Sequence, residues 1–215
     1  MKVNLAIMAS GTGSNALNLL KVGKRLQKAQ IKLVIINNAN SPLIKQMEQL
    51  YPEVTCKVVA KDCDFNIYKK LMQEHQIDWC FLAGFLKILP PDFLSYFEDK
   101  EKKYYRVINI HPSLLPKYPG LNGYQQAFQA GDQESGVTIH LVDEKLDSGV
   151  ILKQRKFARQ AYDSLPDFMQ RGKALEHQLY GELLHDLEEN NFQLQQHFQM
   201  LTLVNENEVH HQIYW

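Results

Sequence analysis

The first half of the chain alternates short runs of apolar and β-branched residues with longer stretches of helical periodicity. The apolar runs are Val3 to Met8, Ile31 to Ile36, Val54 to Val59, Trp79 to Ala83 and Val107 to Ile110. Short runs of this kind, mostly apolar rather than strictly alternating, read as strands of a buried sheet. Between them, Asn15 to Lys28, Pro42 to Leu50, Phe65 to His75 and Pro90 to Phe97 read as helices. Two of these open on a proline, whose missing N–H costs nothing in a first turn. Strand and helix alternating in this way predict βαβ units around a parallel sheet.

The pattern changes after His111. A Pro- and Gly-rich loop, Pro112 to Gly123, leads to a short helix, and Val137 to Val142 and Val150 to Phe157 then read as strands joined by the turn-rich Asp143 to Gly149. Strands connected so closely pair antiparallel and extend a sheet edge. Leu165 to Leu187 carries Leu175, Leu179, Leu183 and Leu187 at a spacing of four, a stripe that packs a helix back on the sheet. From Asn191 the chain is polar and Gln-rich, with Met200 to Val204 fitting one more strand. With no repeat and no linker, the expectation is a single domain over 1–215, made of halves 1–100 and 101–190 and an extension 191–215. Its fold class is α/β: a doubly wound, mostly parallel, Rossmann-like sheet with helices on both faces and an antiparallel C-terminal extension.

Composition narrows the partners. At 215 residues and 45% apolar content the chain can bury a sizeable core. Lys plus Arg equals Asp plus Glu at 24 each, so no whole-protein field draws nucleic acid or an anionic membrane, and neither is expected as a partner. No run approaches the roughly 18 to 20 apolar residues that span a bilayer, and Met1 leads straight into a strand, so a cytoplasmic protein is expected. Cys56, Cys63 and Cys80 are odd in number and match no zinc spacing, which predicts reduced thiols and no metal.

Four stretches can carry chemistry. The first strand runs into Ser10-Gly11-Thr12-Gly13-Ser14-Asn15 before a helix, a turn that offers backbone N–H groups and a positive dipole end to an anion such as phosphate. Gly11, Gly13 and Ala16 also fit a loose dinucleotide fingerprint, but Asn37-Asn38-Ala39-Asn40 after the second strand holds no acid for an adenosine ribose. Asn109 and His111 alternate to one side of a strand end, where an amide and an imidazole can stabilise an oxyanion and move a proton. Asp147 is placed to hold the charged form of that histidine and raise its pKa; Asp143, Glu144 and Asp147 equally fit a solvated turn, and spacing does not separate the two. Leu82 to Leu89 suits a flat heteroaromatic ring and suits the core as well.

Taken in order, Ser10 to Asn15, Leu82-Ala83-Gly84-Phe85, Asn109-Ile110-His111-Pro112-Ser113-Leu114-Leu115-Pro116, Gly136 to His140 and Leu146-Asp147-Ser148-Gly149 resemble the phosphoribosylglycinamide formyltransferase family over residues 1–190. The resemblance implies that 10-formyltetrahydrofolate, as co-substrate, gives its formyl group to the amine of glycinamide ribonucleotide in de novo purine synthesis. The first half would hold the phosphate and the second the catalytic and folate sites. Asn109, His111 and Asp147 would be the catalytic trio, with the oxyanion stabilised by Asn109 and protonated His111. Gly13, Ser14 and Asn15 would cradle the phosphate, assisted by Lys117, and Glu176 would contact ribose hydroxyls. Leu86, Lys87, Ile88 and Leu89, with Val142 and Asp143, would embrace the pterin. The resemblance implies small-molecule substrates, no metal, and a monomer or homodimer. Leu121-Asn122-Gly123-Tyr124-Gln125 departs from the family's usual pattern, and the segment around Asp62 to Phe65 lacks the arginine many relatives place near the folate tail. These departures keep a second acceptor open, an amino sugar on a nucleotide carrier.

Overall fold

The computed structural model describes residues 1–194. In chain order the elements are β1 (Val3–Ala9), α1 (Ser14–Gly23), β2 (Ala29–Ile36), α2 (Leu43–Leu50), β3 (Thr55–Val58), α3 (Phe65–Glu74), β4 (Trp79–Leu82) and α4 (Pro91–Leu94). There follow β5 (Glu98–Asp99), β6 (Tyr104–Tyr105), β7 (Val107–His111), α5 (Gly123–Gln129), β8 (Glu134–Leu141), β9 (Ile151–Ala158) and α6 (Leu165–Glu189). Seven strands form one sheet in the order β3-β2-β1-β4-β7-β8-β9, and β5 and β6 pair by themselves. The neighbours from β3 to β7 are parallel, while β8 and β9 run antiparallel to theirs. This is the doubly wound sheet with an antiparallel extension that the pattern predicts. The strand expected at Met200 to Val204 lies outside the described residues.

The two-faced burial of the central strands explains their largely apolar runs. In β1, Leu5, Ile7 and Ala9 join the core under α1, α2, α5 and α6, whereas Ala6 and Met8 join the core under α3 and α4. Val34 and Ile36 of β2 face the first core, and Leu33 and Ile35 the second. These central-strand residues thus have a helix to pack on, whichever side they take.

Three boundaries differ from the sequence reading by three residues or more. Helix α1 ends at Gly23, not Lys28, because Leu26 turns in to the core and Val3 N–H reaches the Lys28 carbonyl at 2.8 Å to start the sheet. The stretch Pro90 to Phe97 is only a four-residue helix followed by a 3-10 turn at Ser95–Phe97. Strand β8 begins at Glu134, before its apolar run, since Glu134, Ser135 and Gly136 pair with Ala158, Phe157 and Lys156. Helix α6 carries a capping box not read from the sequence, Ser164 with Asp167, which spans Pro166.

Strand β1 lies between β2 and β4, so the winding reverses there and the loops following β1 and β4 leave in opposite directions. Ligands of open α/β sheets bind in the crevice this creates beyond the carboxyl ends of the strands. Helix α6 packs on α1 and closes that crevice from one side. Leu19 of α1 is buried in this packing. Replacing it with alanine is expected to cost about 2–5 kcal/mol, read as a lower urea midpoint with an unchanged slope; a midpoint equal to wild type would contradict the packing described.

Candidate active site

A cavity of about 400 Å³ lies at that crevice, walled by the end of β4 and its following loop, by β7, by the end of β8 with its following loop, and by Asn15 and Glu176 from α1 and α6. At one end Gly13 caps α1 with a left-handed backbone (φ 83), and no side chain caps the helix. A Cβ at Gly13 would lie 2.7 Å from the Leu43 Cβ, so glycine is required by space as well as by torsion. The N–H groups of the first turn at Ser14 and Asn15 have no intrahelical partner, which leaves them available to an anion. Asn15 is buried; its Nδ2 donates to Glu176 Oε2 at 2.6 Å, and its Oδ1 has no partner among the described residues. Glu176, also buried, accepts a second hydrogen bond from the Tyr124 hydroxyl at 2.7 Å. Lys117 is not part of this end: it reaches Asp132, in the turn after α5, at 3.5 Å.

Asn109, His111 and Asp147 come together at the middle of the cavity. Asp147 takes a left-handed backbone (φ 50), a conformation Asp tolerates better than most residues, and this turns its carboxylate inward. Its Oδ2 accepts from the Gly120 N–H at 2.7 Å and lies 3.3 Å from His111 Nδ1; its Oδ1 lies 3.5 Å from Asn109 Nδ2. His140 completes the group. Its Nδ1 faces the Leu141 carbonyl at 2.8 Å, so that nitrogen carries a proton, and its Nε2 lies 3.2 Å from Asn109 Nδ2 and 3.5 Å from Asp147 Oδ1. The sequence reading gave His140 no role. Its place is set by the register of the β7–β8 pair, which puts His140 directly across from Asn109.

Electrostatics at His111 run against the sequence expectation. Burial lowers its pKa, and this outweighs the raising effects of the Tyr118 carbonyl and the Asp147 carboxylate; His140 lowers it further and Glu176 raises it. The net direction is down from the usual imidazole value, so the free site holds His111 neutral near neutral pH rather than protonated. Its Nε2 sits 2.8 Å from the Tyr118 carbonyl and so carries the proton of the neutral ring. An incoming proton therefore lands on Nδ1, facing Asp147. Burial alone would raise the Asp147 pKa, but the contact with His140 and the hydrogen bond from the Gly120 N–H, with His111 nearby, bring it net below the ordinary carboxylate value. A neutral base beside an ionised acid can accept, hold and return one proton.

The opposite end of the cavity is apolar. Leu86 and Ile88 expose their side chains at its rim, as do Leu121 and Leu146 from the facing loops. Leu89 lines the cavity but is buried in the core under α4. The Lys87 ammonium turns away, donating to the Cys63 carbonyl at 2.9 Å and lying 4.6 Å from the Phe65 ring centroid. Val142 is half-buried along the wall, and Asp143 accepts from Ser148 Oγ and Lys145 N–H, which stiffens the turn leading to Asp147. Apolar edges opposite a polar centre suit a flat ring held at its reactive end.

Comparison with known proteins places the chain. A profile for the family described as formyl transferase matches residues 3–184. The chain is also 34% identical over 184 residues to the phosphoribosylglycinamide formyltransferase of Escherichia coli strain K12, covering 83% of this chain and 84% of that protein. The chain belongs to the formyl transferase family. A relative of the same name from Haemophilus influenzae is 34% identical over 183 residues, with 82% of each chain covered. The crystal structure of phosphoribosylglycinamide formyltransferase from Anaplasma phagocytophilum superimposes with a TM-score of 0.80 at 31% sequence identity, over 88% of both chains. The matched segment of this formyl transferase contains every residue of the cavity described above.

The net downward shift at His111 has a direct test. A neutral ring is favoured in the fold, so His111 should titrate below its ordinary value of 6.5, and its contribution to stability should be lost as pH falls from 6.5 through that lower midpoint. In Asp147→Asn the carboxylate's raising effect is gone and the midpoint should drop further. Nitrogen-15 NMR of the imidazoles reads both; a midpoint at or above 6.5 in the wild type would contradict the assignment.

Proposed function

We propose that the protein transfers the formyl group of 10-formyltetrahydrofolate to the amine of glycinamide ribonucleotide, a step of de novo purine biosynthesis, in the cytoplasm. The observation that carries this reading is that Asn109, His111 and Asp147 share one cavity, with a helix N-terminus at one end and apolar edges at the other, in a chain whose relatives bear that enzyme's name. An amino sugar on a nucleotide carrier is not favoured by these relatives.

The substrate phosphate would sit on the N–H groups of Ser14 and Asn15 at Gly13, its ribose against Glu176, and the folate ring between Leu86 to Leu89 and the turn at Val142 and Asp143. This sets the substrate amine and the formyl carbon beside Asn109. As the amine attacks, a C–N bond forms and the carbonyl π pair moves to oxygen. Asn109 Nδ2 carries two protons; one is engaged by His140 and Asp147, and the other donates to the new oxyanion. The proton of the attacking nitrogen passes through water to His111 Nδ1, where Asp147 Oδ2 at 3.3 Å holds the imidazolium. The charged ring then adds to oxyanion stabilisation. Collapse of the adduct breaks the C–N bond to the folate, and the same proton goes to the departing nitrogen.

Absorbance on release of the deformylated folate follows the reaction with glycinamide ribonucleotide as acceptor. Asn109→Ala is expected to lower kcat by about 10² to 10³ and His111→Ala by about 10² to 10⁴. Donor binding with no turnover in the wild type would contradict the acceptor assignment, and unchanged rates in both variants would contradict the site.

A further inference from the structure

Behind the acceptor end of the cavity, against Glu176, lies a buried residue the family reading leaves without a role. We propose that Tyr124 is a positioning residue, which sets the Glu176 carboxylate to receive the vicinal hydroxyls of the acceptor's sugar; the proposal rests on the ribonucleotide reading above.

Glu176 is a carboxylate on the cavity wall, only 9% exposed. A buried carboxylate is tolerated when donors satisfy it. Two side chains from different elements do so, one on each oxygen: Asn15 Nδ2 from α1 at 2.6 Å on Oε2, and the Tyr124 hydroxyl from α5 at 2.7 Å on Oε1. Held at both oxygens, the carboxylate cannot rotate, and each oxygen keeps a lone pair for a further donor. The Oδ1 of Asn15, buried and without a partner among the described residues, is a further acceptor beside them. A diol supplies two hydroxyl donors at fixed spacing, and a sugar bearing its phosphate on the start of α1 would bring them there.

Tyr124 is seated for this contact at some cost. Its ring packs edge-on against Phe157 and Phe168, and α6 carries a glycine in its interior, Gly172, where any Cβ would collide with the ring and the hydroxyl of Tyr124. Interior glycine weakens a helix, so the close approach of Tyr124 is retained against that penalty. Burial beside the Glu176 carboxylate drives the Tyr124 pKa far above its ordinary value, so the hydroxyl stays a donor at every working pH. A ring that served only to fill this space would need no hydroxyl.

Binding can be measured without turnover. Isothermal titration calorimetry with ribose 5-phosphate and with 2-deoxyribose 5-phosphate is run on the wild type, Tyr124→Phe and Glu176→Gln, with melting temperatures as a check that each variant folds. Wild type should prefer the ribose form, and Tyr124→Phe should weaken its binding on the order of ten-fold while narrowing the gap between the two sugars. In turnover the same variant should raise KM for glycinamide ribonucleotide by a similar factor, with kcat and the KM for the formyl donor near wild type. Equal losses for both sugars in a folded Tyr124→Phe, or none, overturn the proposal, as does a wild type with no preference between them. Sugar discrimination without formyl transfer would keep the Tyr124 assignment and overturn the acceptor reading instead. If Tyr124→Phe does not fold, Glu176→Gln decides: it must show the same narrowed gap.

Discussion

The carboxylate of Asp147 joins parts of the site that the sheet alone would leave apart. Its two oxygens meet the Gly120 N–H, His111, His140 and Asn109, and thereby tie the loop after β7 and the loop after β8 to the ends of both strands. A carboxylate whose side chain is only 7% exposed would be strongly destabilising without such partners, so these contacts hold the two loops together. The left-handed backbone at Asp147 is part of the same constraint: strain at one residue is sustained because the surrounding contacts over-determine it. Geometry and protonation follow together, since the ionised carboxylate gives buried, neutral His111 a place to put a proton.

The sheet supplies the frame on which this junction works. Parallel strands β1, β4 and β7 end on one edge, so the helix N-terminus at Gly13, the apolar loop after β4 and the Asn109–His111 pair open into one crevice. Helix α6 bridges from the far side, bringing Glu176 to the α1 end through Asn15. An elongated site results, with anion-binding backbone at one end, a proton-handling centre, and exposed Leu86 and Ile88 at the other. Two substrates can lie along it with their reacting atoms meeting at the centre.

Much of this was legible in the sequence because the relevant signals are local. Largely apolar runs marked the five parallel strands, and the order of glycine loop, Asn109 to Pro116 and Asp147 turn carried the resemblance that singled out Asn109, His111 and Asp147. What was missed depends on contacts across the fold. His140 shares a wall with Asn109 only once β8 pairs antiparallel to β7 in one register. Tyr124 meets Glu176 across 52 positions of chain, and Lys117 turns to Asp132, a partner that spacing does not select. The protonation of His111 was inverted for a similar reason: the charged neighbour is visible in sequence, whereas the burial that outweighs it is a property of the assembled core.

The most direct test of the account follows the formyl carbon itself. With carbon-13 in the formyl group of 10-formyltetrahydrofolate and glycinamide ribonucleotide present, the label should appear in the formamide of the ribonucleotide product, at the rate at which free folate is released. Label recovered as formate, or left on the donor while the ribonucleotide is bound, would contradict the claim that this cavity joins an amine to a formyl carbon.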